Sequence, residues 1–252
     1  MDTISNARIN EDDLVICADG GYDAARAAGL HADIVIGDMD SCSSLPHEGK
    51  AVTGAKKNTG ANPNTTGEAA KSDSCTKEAD QCPEIIRLDA EKDETDTFAA
   101  AKLAVDKGAE EIIILGGLSG RFDHSVAVLQ TMSFLDDIGL KASAMDGSNL
   151  AIMISGGDVM TLDHELMFSE AGEGLNRWFS VYSFTEKCEM VTIKDAKYPL
   201  EGALLTQSFP LGTSNEFLPG KRAEISLQKG KLLVIISEED QAGSKIDKDQ
   251  LL

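Results

Sequence analysis

Three acidic clusters stand where short apolar runs end: Asp19-Gly20-Gly21, Asp38-Met39-Asp40-Ser41 and Asp93-Glu94-Thr95-Asp96. In extended backbone, residues i and i+2 point to the same side, so Asp38 and Asp40 can aim two carboxylates at one point. Carboxylates joined by phosphate oxygens and water form the hard-oxygen shell that magnesium prefers. Each cluster also has a plainer reading. Asp93 and Asp96 can cap a helix and compensate its dipole, and Asp-x-Asp is a common turn. What they share is position, because open α/β sheets bind ligands at the carboxyl ends of their strands.

A second constellation, Gly116-Gly117-Leu118-Ser119-Gly120-Arg121-Phe122-Asp123-His124, lies between a strand pattern and a helix pattern. Glycines let backbone approach a phosphate, and a helix N-terminus offers it unpaired N–H groups. The loop lacks the Lys-Ser/Thr of a Walker A sequence. Arg121 is the informative addition, since a guanidinium can grip a phosphate through two parallel bonds; a solvated surface role fits the same residue. His124 has no evident metal partner among His31, His47 and His164, so a local hydrogen-bonding role is expected.

The elements that must position these groups follow from periodicity. Leu14–Ala18, Ile34–Ile36, Glu84–Leu88 and Ile112–Leu115 read as strands, and Tyr22–Ala28 as a short Ala-rich helix. Residues 94–107 read as a helix facing inward through Phe98, Ala101 and Val105, and Phe122–Ile138 as one facing inward through Phe122, Val126 and Leu129. Strands alternating with helices imply a parallel sheet with helices packed on it. Beyond Gly139 the candidates are strands alone: Lys141–Met145, Leu150–Ile154, Trp178–Phe184, Met190–Ile193, Ala203–Thr206, Ala223–Leu227 and Leu232–Ile236. That rhythm implies an antiparallel sandwich. The expected architecture is an α/β N-terminal domain over residues 1–145, with a parallel sheet and flanking helices. An all-β sandwich domain over residues 146–252 follows it. Residues 50–83 hold Val52 as their one large apolar side chain and are expected to be a disordered insertion. Residues 237–252 read as a polar tail.

Lys and Arg total 23 against 43 Asp and Glu, a net charge of −20 in 252 residues. This acidity argues against nucleic acid or an anionic membrane as partner. Hydrophobic residues at 42% and charged residues at 26% supply a real core and exclude wholesale disorder. The longest strongly apolar runs, Ile112–Leu115 and Leu232–Ile236, are too short to span a bilayer. The cysteines (Cys17, Cys42, Cys75, Cys82 and Cys188) show no CxxC spacing, which disfavours a disulfide framework or a zinc site. The first residues carry no secretory signal pattern. A soluble cytoplasmic protein is the expectation. If it handles phosphates, a metal ion and a few well-placed cations must offset its own field.

The motifs ADGG (18–21), IGDMDS (36–41), KDETDT (92–97) and GGLSGRFDH (116–124) resemble, in that order, those of the thiamine pyrophosphokinase family. So do KYPLEG (197–202) and GTSNEF (212–217). The resemblance covers roughly residues 14–237 apart from the insertion. It implies a homodimeric, Mg²⁺-dependent enzyme that moves diphosphate from ATP to thiamine and releases AMP. By motif position Asp38, Asp40 and Asp96 would hold Mg²⁺ and, with Arg121, carry catalysis. Asp19, Gly20, Thr95, Gly117, Arg121 and Asp123 would line the nucleotide site. Tyr198, Ser214 and Asn215 would meet thiamine across the dimer interface. Family members usually carry a further strand and a Gly-containing loop ahead of the ADGG segment, whereas here about a dozen residues precede Leu14.

Two other functions share parts of this pattern. One is diphosphate transfer to another hydroxymethyl acceptor such as a pterin, since the N-terminal motifs specify ATP and metal better than acceptor. The other is a thiamine- or nucleotide-binding protein without turnover. KYPLEG and GTSNEF favour thiamine and the enzyme.

Overall fold

The computed structural model describes residues 9–10, 12–43, 82–89, 91, 93–163 and 175–240. The expected disordered insertion lies outside the described residues except for Cys82 and Pro83, as does the tail beyond Asp240. The chain forms two compact units, Asp12–Asp96 and Thr97–Leu252 with Met1–Glu11.

The first unit contains β1 (Ile16–Ala18), α1 (Gly21–Ala27), β2 (Ile34–Gly37) and β3 (Glu84–Arg87). The strands are parallel in the order β1-β2-β3. The central strand, Ile-Val-Ile-Gly, is buried throughout, as a parallel strand covered on both faces should be. Its core gathers Cys17, Tyr22, Ala25, Ala32, Val35 and Met39. Burial, reinforced by the neighbouring Cys42 and Asp33, pushes the Cys17 thiol up to about 11 and makes it a packing residue at neutral pH.

The second unit contains α2 (Asp96–Asp106, whose first residue closes the preceding unit), β4 (Glu111–Leu115), α3 (Phe122–Asp137), β5 (Lys141–Met145) and β6 (Asn149–Ser155). It continues through β7 (Val159–Leu162), β8 (Leu175–Ser183), β9 (Lys187–Lys194), β10 (Leu200–Thr206), β11 (Gly212–Glu216), β12 (Ala223–Ser226) and β13 (Lys231–Asp240). A six-stranded sheet has the order β11-β8-β13-β6-β5-β4, and a four-stranded sheet the order β10-β9-β12-β7. β4 and β5 pair in parallel, and β6 joins β5 antiparallel. The expected domain boundary near Asp146–Ser148 is thus the turn between two strands of one sheet.

Strand alternation explains the layers. Leu232, Val234 and Ile236 of β13 pack with Phe179 and Val181 of β8 against Val191, Ile193, Leu205 and Ile225 of the other sheet. Leu233 and Ile235 point the opposite way, into a core with Ala101 of α2 and Val128, Met132 and Leu135 of α3. Leu-Leu-Val-Ile-Ile is apolar without alternation because both its faces are covered. Lys231 anchors the far end of α3. Its buried Nζ donates to the Ser133 carbonyl at 2.7 Å and pairs with Asp137 at 2.8 Å and Asp136 at 3.0 Å. A cation there also suits the negative end of the helix dipole.

Several expectations need correction. α3 does not bury Phe122, Val126 and Leu129 as a stripe: Phe122 is 81% exposed and Val126 is exposed. The buried stripe is Val128, Met132 and Leu135, because Ala142, Ala144 and Ala151 leave room for it on the sheet. β7 and β11 are strands that carry no clear strand pattern in the sequence. The polar segment after Ile236 extends β13 to Asp240, where Arg177 of β8 forms a buried pair with Glu238. Among the described residues no helix is long and apolar enough to cross a membrane.

Candidate active site

Parallel pairing of Ala18 with Ile36 brings the carboxyl ends of β1 and β2 side by side. Asp19 directly follows β1 and Asp38 directly follows β2. The Asp19 amide donates to the Ile36 carbonyl at 2.9 Å and carries the pairing one step further. Asp19, Asp38 and Asp40 each offer a carboxylate oxygen, and the three oxygens lie within 4.8 Å of one another. Met39 explains how the latter two converge. Its backbone is left-handed (φ 67°) and its side chain is buried in the core, which leaves its neighbours nearer the surface. Asp19 is left-handed too, at φ 43°. Such backbone costs of order 1 kcal/mol or more at a non-glycine residue, and like charges this close repel. A bound cation would offset both.

The surrounding contacts hold this arrangement. Ser41 Oγ donates to Asp40 Oδ1 at 2.8 Å, and the Asp40 amide donates to Asp38 Oδ1 at 3.2 Å. The Ser43 amide donates to Asp23 Oδ2 at 2.6 Å, tying the loop to α1 and holding the Asp23 carboxyl below its ordinary range. Cys42 Sγ donates to the Asp19 carbonyl at 3.3 Å. Its thiol is pushed up, first by burial and then by the Asp19 charge. At Gly37 a Cβ would stand 3.1 Å from Asp19 Cβ and 3.3 Å from Asp19 N, so glycine there permits the close approach of the two strand ends. Gly20 caps α1 next to this group, while Thr95 precedes α2 and Asp96 opens it. Neither Thr95 nor Asp96 belongs to the three-carboxylate group, in which Asp19 joins Asp38 and Asp40.

The glycine-rich loop connects β4 to α3. Gly117 is left-handed (φ 79°), and a Cβ there would stand 2.9 Å from Val128 Cγ2, so the loop can lie against α3 only with glycine. Arg121 is extended immediately before the helix. Its Nε donates to Asp123 Oδ1 at 3.2 Å and its Nη2 to Asp123 Oδ2 at 2.6 Å. That fork, more than any other contact, holds the Asp123 carboxyl below and the Arg121 guanidinium above their ordinary values. Both side chains are largely exposed. The guanidinium is oriented by Asp123 and keeps further N–H donors for an incoming phosphate. The His124 amide donates to the Arg121 carbonyl at 3.1 Å, a backbone bond of the first helical turn.

The third locus is a cavity of about 430 Å³ in the sandwich, lined by Ile193, Tyr198, Leu200, Leu211 and the stretch Gly212–Asn215. Tyr198, Ser214 and Asn215, named from sequence alone, all line it. Ser214 is left-handed (φ 56°) and its amide donates to Ser180 Oγ at 3.0 Å. Ser180 was missed by sequence reasoning, because a serine in a strand carries no signal of a contact 34 residues away. Lys197 Nζ lies 5.4 Å from the Tyr198 ring centre and pairs with Glu216 at 2.6 Å. The walls are mixed: Ile193, Tyr198, Leu200 and Leu211 supply apolar surface, and Thr213, Ser214 and Asn215 are the polar residues beside it.

Comparison with known proteins bears on each of these loci. Residues 6–142 match the family described as thiamin pyrophosphokinase, catalytic domain. The chain belongs to that family. Residues 163–232 match a second description, thiamin pyrophosphokinase, vitamin B1 binding domain. The thiamine pyrophosphokinase of Bacillus subtilis is 28% identical over 155 residues, 62% of this chain and 68% of that protein. Thiamin pyrophosphokinase 1 of Caenorhabditis elegans is 27% identical over 138 residues, 55% of this chain and 53% of that protein. The crystal structure of the B. subtilis enzyme shares the fold at TM-score 0.65 and 24% identity, over 91% of this chain and 89% of that one. The structure from Geobacillus thermodenitrificans does so at TM-score 0.65 and 20% identity, over 92% and 89%. The pyrophosphokinase family match spans all three acidic clusters and the Arg121 loop, and the B1-binding match spans the cavity residues.

Proposed function

We propose that this chain transfers the terminal diphosphate of ATP to thiamine, giving thiamine diphosphate and AMP. The carrying observation is the match, in order, of a pyrophosphokinase catalytic domain and a vitamin B1 binding domain to one chain. The second match also favours thiamine over a pterin as acceptor. We assign catalysis to the α/β portion, residues 1–145, and thiamine binding and dimerisation to the sandwich portion, residues 146–252.

In this reaction the hydroxyethyl oxygen of thiamine forms a bond to the β-phosphorus as the bond from that phosphorus to the oxygen retained by AMP breaks. The hydroxyl proton passes to solvent or to a phosphate oxygen. Such transfer is mainly a matter of positioning and charge neutralisation. The donor set of Asp19, Asp38 and Asp40 fits a hard divalent ion, and these residues would hold Mg²⁺, which when bound neutralises phosphate charge. We retain Asp96 as a further proposed ligand, to be tested by substitution. Arg121, oriented by Asp123, binds phosphate oxygens, with Gly117, Gly20 and Thr95 beside the nucleotide. The cavity beside Tyr198 and Ser214 takes the thiamine rings. The chain's acidity then favours a cationic thiazolium.

We further propose a homodimer with composite sites. Tyr198, Leu204, Phe209 and Leu211 are exposed around β10 and β11, and exposed apolar residues on one segment support a protein interface. A cytoplasmic location accords with free Cys17, Cys42, Cys82 and Cys188.

The deciding experiment incubates the purified protein with ATP, Mg²⁺ and thiamine and identifies the products. AMP with thiamine diphosphate is expected. ADP with thiamine monophosphate would mean attack at the γ-phosphorus and would overturn the assignment. Turnover with a hydroxymethylpterin but not thiamine would select the other acceptor.

A further inference from the structure

Asn215 lines the cavity, yet its side chain is almost wholly engaged elsewhere. Asn215 is 3% exposed. Its Oδ1 accepts from the Tyr198 amide at 3.0 Å and from the Glu216 amide at 2.9 Å, and its Nδ2 donates to the Tyr198 carbonyl at 2.7 Å. Both acceptor positions of the amide oxygen and one of the two N–H groups are therefore occupied. Neighbouring bonds stop short of residue 198: Ala196 bridges Phe217, and the Lys197 amide donates to the Glu216 carbonyl at 3.0 Å.

We propose that Asn215 is a positioning residue rather than a ligand-contacting one: it clamps both backbone polar groups of Tyr198 so that the Tyr198 ring stands as a wall of the cavity. The clamp matters because Tyr198 is 55% exposed and lies between β9 and β10, so burial alone does not fix its ring. An amide pairs with a backbone N–H and C=O together as a second peptide group does, which neither Ser nor Asp can reproduce. Ser214, which lines the same cavity, remains the residue proposed to meet the ligand with a polar group. This inference rests on the reading of the cavity as the thiamine site only in its affinity arm.

Two measurements test it on the full chain. The first uses no ligand. Hydrogen exchange of the Tyr198 amide should quicken by at least about tenfold in Asn215→Ala, since that N–H loses its acceptor. Unchanged exchange would overturn the clamp. The second is a double-mutant cycle read as thiamine affinity. Asn215→Ala should weaken thiamine by about tenfold in the native background and by less than about twofold in a Tyr198→Ala background, because its effect passes through Tyr198. Equal losses in both backgrounds would show direct contact and overturn the proposal. If native protein binds no thiamine, the thiamine reading falls while the exchange arm still decides the clamp. Should Asn215→Ala not fold, Asn215→Ser, whose shorter hydroxyl cannot reach both Tyr198 groups, serves in the exchange arm and Asn215→Asp in the affinity arm. The latter keeps the acceptor for the Tyr198 amide but sets a carboxylate against the Tyr198 carbonyl, so the cycle should show the same dependence on Tyr198.

Discussion

The strand-end carboxylates and the sandwich cavity are built on opposite terms. Around Asp19, Asp38 and Asp40 the backbone is strained at two non-glycine residues and the gathered charges repel. Around the cavity Ser214 is left-handed too, but no like charges are gathered there: Asn215 holds both backbone polar groups of Tyr198, and Ser180 accepts from the Ser214 amide. The first site is held in a form that a cation would relieve, whereas the second is already shaped without its ligand. A site for a small, highly charged ion gains affinity by storing repulsion. A cavity already shaped for the proposed organic ligand gains affinity by losing little freedom on binding.

The largest effect expected from this contrast lies in activity. Asp38→Asn or Asp40→Asn should lower turnover by at least about tenfold at limiting Mg²⁺, through loss of a charged oxygen ligand. Measured without metal, the same variants should melt at or above the native temperature, since one repulsive charge is gone. A clear loss of stability instead would make these carboxylates structural and dissolve the contrast. Asp96→Asn sharpens it: a fall in Mg²⁺-dependent turnover places Asp96 with the metal, and a lower melting temperature alone leaves it as a helix-opening residue.

Mixing variants tests whether the two loci serve each other across a dimer. Asp40→Asn and Tyr198→Ala homodimers should both be impaired. Unfolded, mixed equally and refolded, they should regain activity in about a quarter of all sites, given random pairing and two-fold symmetry. No recovery, with heterodimers confirmed by mass spectrometry, would place both residues in one subunit's site.

A smaller effect concerns ligand-linked stability. Mg²⁺ at about a hundred times its dissociation constant should stabilise native protein by roughly 2.7 kcal/mol. Thermal melting should rise by several degrees for the native chain and far less for Asp38→Asn. An equal rise in both would move the ion elsewhere.

The smallest effect is set by the Arg121–Asp123 fork. The folded state holds the Asp123 carboxyl below its ordinary value of 3.8, so its contribution is fully present above that value. It is lost as pH falls through the lower folded value. The stability difference between native protein and Asp123→Asn should stay level from neutral pH to about the ordinary carboxylate range and vanish in stronger acid. A difference that persists at the acid end would contradict the depressed titration.

Much of this was readable in the chain itself. Asp-Met-Asp after a buried apolar run, Gly-Arg-Phe-Asp ahead of a helix, and the shift from strand-helix alternation to strands alone are local patterns, since side-chain periodicity and backbone geometry are themselves local. The misreadings share one cause. α3 carries apolar residues on more than one face, and the small alanines of β5 and β6 choose which face is buried. Gly212–Glu216 has weak strand propensity and becomes β11 only because β8 supplies its partner. Asp19 joins Asp38 and Asp40 because β1 and β2 pair in parallel with their ends level. Residue types and spacing were thus sufficient to single out the carboxylates, the guanidinium and the glycine loop. Which carboxylates share one point, and that Asn215 faces Tyr198's backbone, depended on pairing between segments distant in sequence. Nothing local encodes that proximity, because it is the collapse of the apolar core that sets the register.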